Sequence, residues 1–139
     1  MTSNQFRVPA VVEYATAFRA IADRITPKQR EMLRFHHSAP AHVVSATLLA
    51  NHAGFDGHPG ANLQYGLLAG ELLNAMSLRL PSNYVNVGIL VDFVGPKYAA
   101  NQEYLWVMRP QVVEALEALG WVPTASHLLY PAEAVPPPV

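Results

Sequence analysis

Apolar residues recur at helical spacing through the first half of this chain and shift to a denser, β-branched pattern in the second. Val12, Ala15, Phe18, Ala22 and Ile25 follow Pro9 at three- and four-residue steps, which predicts a first helix with one apolar stripe. Thr26-Pro27-Lys28-Gln29 is a restart signal: Thr26 can cap, Pro27 needs no donor, and Gln29 stands where a capping-box partner belongs. The second helix then carries Met32, Leu33 and His36 and stops before Ser38-Ala39-Pro40. Ser45 caps a short third helix through Leu48, Leu49 and Ala53, closed by Gly54. After the turn signal Asp56-Gly57-His58-Pro59-Gly60, a fourth helix runs from about Ala61 to Met76 with Leu63, Leu67, Leu68, Leu72 and Leu73. Gly66 and Gly70 lie one turn apart inside it at a cost of roughly 1 kcal/mol each relative to alanine. The pattern therefore implies another backbone crossing that face.

Residues 85–94 predict a strand, residues 95–102 a loop, and residues 104–108 a returning strand, which together form a hairpin whose tip bears Lys97 and Tyr98. Pro110 opens a last helix through Val112, Val113, Leu116 and Leu119, ended by Gly120. The resulting expectation is a mainly helical α+β fold with the order of a winged helix-turn-helix: three to four helices, a β-hairpin wing and a C-terminal helix. Three regions are expected: an N-terminal helical arm over 1–24, the winged-helix-like domain over 25–122, and a proline-rich extended tail over 123–139.

Composition narrows the classes. The 139 residues suit a single domain, hydrophobic content is 51% and charged residues make up only 14%, against about 25% in an average domain. A surface so poor in charge predicts burial against a partner or a second copy, such as a homodimer. No cysteine is present, and neither a secretory signal nor a membrane-spanning stretch is legible, so a cytoplasmic location is expected. The net charge of −1 divides unevenly, with six basic and three acidic residues over 1–50 and three basic and seven acidic over 51–139.

In a helix-turn-helix the second helix reads base edges near its N-terminus. Here that end presents His58, Asn62, Gln64 and Tyr65, and Asn or Gln can pair bidentately with adenine. The leading expectation is therefore a DNA-binding recognition module with the contact set His58, Asn62, Gln64, Tyr65, Lys97 and Tyr98, and a protein partner is the alternative. Against DNA, no Lys or Arg lies between Ala61 and Ser77, where phosphate contacts would be made. The histidines at 36, 37, 42, 52 and 58 lack the i, i+4 helical pairing of a zinc site, and one semi-buried ring with several surface rings is expected. The glycine-rich stretch 54–60 lacks the Lys-Ser/Thr of a phosphate loop. No nucleophile, paired carboxylate or cofactor motif is legible, and the expectation is a non-enzymatic module without cofactor or metal.

Two groups of residues carry a family resemblance. Ile25-Thr26-Pro27-Lys28-Gln29-Arg30, Met32-Leu33, His37-Ser38-Ala39-Pro40 and Ala61-Asn62-Leu63-Gln64-Tyr65-Gly66 form one. Trp106-Val107-Met108-Arg109-Pro110, Ala115-Leu116 and Leu119-Gly120-Trp121-Val122 form the other. Over residues 25–122 the chain resembles an uncharacterised bacterial domain often found before HNH nuclease domains in restriction-like proteins. The resemblance implies a targeting or recognition module without catalytic residues. Two departures stand out: Leu67 and Gly70 replace basic residues of the family, and no His-Asn-His arrangement follows residue 122. They suggest a changed partner, as in a small phage or mobile-element protein that binds and inhibits a host defence complex in the manner of anti-CRISPR proteins.

Overall fold

A computed structural model describes residues 6–95 and 104–124. Helix α1 (Val11–Ala20) buries Tyr14, Ala15, Ala17 and Phe18. Val12, placed by its spacing on the buried stripe, is instead 68% exposed. The helix turns so that Tyr14 points inward, where its hydroxyl donates to the Ile89 carbonyl at 2.6 Å. A phenol can take a core position because its polar end finds an acceptor. The segment expected as an N-terminal arm thus supplies Tyr14, Phe18 and Ile21, all at 0% exposure, to the common core.

Helix α2 (Pro27–Ser38) starts as its sequence signals require: Gln29 N donates to Thr26 Oγ1 at 3.0 Å and Thr26 N to Gln29 Oε1 at 3.1 Å. A strand that the sequence reading omitted follows, β1 (Val43–Ser45), after Ala41 and His42 at φ 56° and 60°. Three residues are too few for a two-residue alternation to register, and the pairing with a strand some 60 positions on is what defines β1. Ser45 caps α3 (Ala46–Ala53), accepting from Leu48 N at 3.0 Å, and Gly54 ends it at φ 89°. That left-handed φ suits glycine because a Cβ would crowd the carbonyl.

Helix α4 (His58–Met76) begins three residues earlier than Ala61. Pro59 and Gly60 read as turn residues, yet proline suits a first helical turn, and Gly60 is demanded by packing. A Cβ there would stand 2.4 Å from the Phe55 ring. The connection between α3 and α4 shrinks accordingly to residues 54–57. Lys28 reaches over it, with its Nζ donating to the Ala53 carbonyl at 2.6 Å and 4.9 Å above the Phe55 ring centre.

The long strand expected over 85–94 is not formed. Asn86–Ile89 make a 3-10 turn and only Val91–Val94 form β2. Ile89 O and Gly88 O are taken by Tyr14 Oη and Arg109 Nε at 2.6 and 2.8 Å, so side chains occupy the carbonyls that a ladder would have used. Strand β3 (Leu105–Met108) lies between the other two in an antiparallel sheet of order β1-β3-β2. Val44 pairs with Trp106, which pairs with Phe93, and Met108 pairs with Val91, placing these side chains on the face toward the helices. Helix α5 (Pro110–Ala118) packs against α1, the first helix against the last. No helix among the described residues is long and apolar enough to cross a membrane. Lys97, Tyr98 and the proline-rich run lie outside the described residues.

Candidate functional site

The residues expected at the N-terminal end of α4 separate into two groups. His58 and Asn62 are exposed, one turn apart, with Asn62 Nδ2 3.3 Å from His58 Nδ1. Gln64 is half-buried and accepts from Gln29 Nε2 at 3.2 Å, so it joins α4 to α2. Tyr65, expected to face a partner, is 0% exposed. Helical geometry turns residues 61, 65, 68, 69 and 72 to one side, and this is the buried side of α4.

Tyr65 belongs to a polar cluster inside the core. His36 Nε2 is 2.9 Å from the Trp106 carbonyl and must carry the proton, which makes Nδ1 the acceptor for the Tyr65 hydroxyl at 3.0 Å. Burial lowers the His36 pKa to about 4 and raises that of Tyr65. His37 is buried as well, its Nε2 2.8 Å from Glu117 Oε2 on α5, and its Nδ1 has no hydrogen-bond partner among the described residues. The single semi-buried ring of the sequence reading is thus two fully buried ones: neighbouring positions on α2 face different elements, and each imidazole meets an acceptor. Among the described residues no three His, Asp or Glu side chains converge as a metal site.

Beside the exposed His58 and Asn62, one outward strip of α4 is apolar. Leu63 and Leu67 are 58% and 54% exposed, and Gly66 and Gly70 share their side of the helix. A Cβ added at either glycine meets nothing within 4 Å, so none of the described residues makes the close approach that the glycines imply. The helical pattern names both leucines beside Leu68 and Leu72 without telling the two sides apart. The signal that separates them is angular: α4 is apolar on both sides, and a helix needs only one side for its own core. Gly66→Ala and Gly70→Ala are each expected to raise the unfolding free energy by about 0.5–1 kcal/mol, visible as a melting temperature higher by a few degrees. An unchanged or lower value would mean that the glycine backbone is needed within the fold.

Most of the basic side chains are occupied internally. Lys28 holds Ala53 and Phe55, Arg24 pairs with Glu71 at 2.9 Å, and Arg34 pairs with Glu31. Arg30 lies 3.6 Å over the Trp121 ring, while Arg109 donates to Gly88 O and faces Phe6. Arg34 and His52 together hold the Glu31 carboxyl down to about 2. Of the six basic side chains in the N-terminal half, Arg24 and Arg34 are ion-paired and Lys28 and Arg30 are turned onto neighbouring carbonyl and ring groups, so the +3 balance is not carried by six free cations. Beyond the leucine–glycine face, at the C-terminal end of α4, a cavity of about 610 Å3 opens, lined by Gly70, Asn74, Ser77, Arg79, Ser82 and Tyr84 among others.

Compared with known proteins, the chain matches no family model, no curated sequence and no solved structure.

Proposed function

We propose that this chain is a winged-helix-like recognition module without catalytic chemistry of its own. The order α2-β1-α3-α4-β2-β3, the antiparallel sheet order β1-β3-β2 and the connection of residues 54–57 between α3 and α4 support that class. In such a module the helix in the position of α4 makes the principal contact with the target.

The target, on this reading, is a protein. One observation carries it: the outward face of α4 is built from Leu63, Gly66, Leu67 and Gly70, without a Lys or Arg from His58 to Met76. A helix entering a DNA groove draws its affinity from phosphate neutralisation, whereas leucines around glycine notches bury apolar area against another polypeptide. Joined to the resemblance to nuclease-associated targeting domains, this face favours a small protein that binds, and thereby inhibits, a defence complex. Duplex DNA is the competing target, favoured by the exposed His58–Asn62 pair.

Fluorescence anisotropy with labelled duplex and single-stranded DNA at two salt concentrations decides between them. The protein reading expects no binding at low salt. Binding that falls steeply with salt and is weakened by Asn62→Ala would overturn it in favour of DNA.

A further inference from the structure

The leucine–glycine face of α4 and the cavity at its end are contiguous, since Gly70 belongs to both. We infer that they form one groove for an amphipathic helix of a partner protein, whose apolar side chains seat over Gly66 and Gly70 while an Asp or Glu side chain enters the cavity to meet Arg79. This inference rests on the protein-binding reading above and specifies its chemistry.

Three features support a helix with a carboxylate. From Leu63 to Ser77 the face extends about 20 Å at 1.5 Å per residue, the length of roughly four helical turns. Gly66 and Gly70 leave space at the α4 backbone itself, which lets a second helix axis come close, with Leu63 and Leu67 as its flanking contacts. The cavity lining contains one cation, Arg79, and no carboxylate. Arg79 has no ion pair among the described residues, unlike Arg24 and Arg34.

The end of α4 opposes an incoming acid less than an uncapped helix end would. A helix C-terminus ordinarily repels anions through its free carbonyls. Here Ser77, in the left-handed region at φ 53°, ends the helix, with Ser77 N donating to Asn74 O at 3.1 Å and Leu78 N to Leu73 O at 2.9 Å. Those two carbonyls are therefore satisfied by the chain. The side chains of Asn74, Ser77 and Ser82 place amide and hydroxyl donors around the same space as the guanidinium, and a charged hydrogen bond to a carboxylate is roughly twice as strong as a neutral one.

A phage-displayed library of random 18-residue helical peptides, selected against the full chain, tests the groove. Enriched peptides should share an acidic residue two to four turns from a pair of apolar positions. Anisotropy should show at least a tenfold loss with Arg79→Glu and with Gly66→Leu/Gly70→Leu. Replacing the peptide acid with lysine should restore binding to Arg79→Glu, and that exchange separates contact from a change in folding. Arg79 is exposed, so the melting temperature of its variant should match wild type. Absence of enrichment, enrichment without an acid, or affinities unmoved by these substitutions would overturn the groove while leaving the DNA titration to judge protein binding itself. A dimer in sedimentation equilibrium that Leu63→Asp/Leu67→Asp dissociates would assign the face to a second copy and equally overturn it.

Discussion

Tyr65→Ala is expected to remove about 3–5 kcal/mol of stability, the range for truncating a buried aromatic ring, out of a total that for most domains is only about 5–15 kcal/mol. The ring is completely buried, stacked between His36 and Trp106 with centroids at 5.8 and 5.7 Å. Its removal leaves a void and takes the hydrogen-bond donor from His36 Nδ1. Tyr65→Phe keeps the ring and isolates the second effect, about 1–3 kcal/mol for a buried acceptor left without a donor. Urea unfolding checks both, and Asn62→Ala, three residues away but exposed, should stay within about 0.5 kcal/mol of wild type. If Tyr65→Ala unfolds at the wild-type urea midpoint, Tyr65 is not part of the core and belongs on the binding surface after all.

Acidification from pH 7 to pH 5 is expected to cost about 2 kcal/mol through His36 alone. Its pKa lies near 4 in the folded chain and near 6.5 in the unfolded one, because burial disfavours the imidazolium. Between those values the unfolded chain binds the extra proton, so stability falls as pH drops below about 6.5. The loss levels off below about 4, where the folded chain takes up the proton too. The Glu31 carboxyl, held down to about 2 by Arg34 and His52, acts in the same direction but at lower pH, between its ordinary value near 4.5 and about 2. Urea midpoints at pH 7, 6 and 5 measure the slope, and NMR of the ring protons should show His36 neutral down to about pH 4. A His36 that titrates near 6.5 would remove the effect and place the ring in contact with water.

Caps and stops were the most legible parts of this fold. Thr26 with Gln29, Ser45, Gly54 and Pro110 act within four residues of where they stand, and their chemistry is local. Strand β1 and the 3-10 turn over Asn86–Ile89 were not legible, because distant groups define them: Trp106 across the sheet for the first, Tyr14 and Arg109 for the second. The candidate site divides along the same line. Asn62 and His58 could be placed from the start signals of α4, and so could the lack of cations along it. That Tyr65 turns inward while Leu63 and Leu67 turn outward depends on which side of an all-round apolar helix meets α2 and α3. Only the packing decides that. The glycines at 66 and 70 were the usable hint, since a glycine inside a helix costs stability and marks a backbone open to close approach, and no described residue fills that space.

The packing of α1 against α5 and its tyrosine bond to Ile89, 75 positions away, bear on how the chain acquires its fold during synthesis. Helix α1 is translated before α4 and α5, the two helices it packs against, so the surfaces that cover Tyr14, Phe18 and Ile21 appear later. At roughly 5–20 residues per second, those three side chains stay uncovered for several seconds, and closing so long a loop carries an entropic cost before any contact rewards it. The packing of α1 against α5 can therefore form only after residues 110–118 have been made, and a chain stalled before them keeps α4 but lacks that second part of the cover over α1.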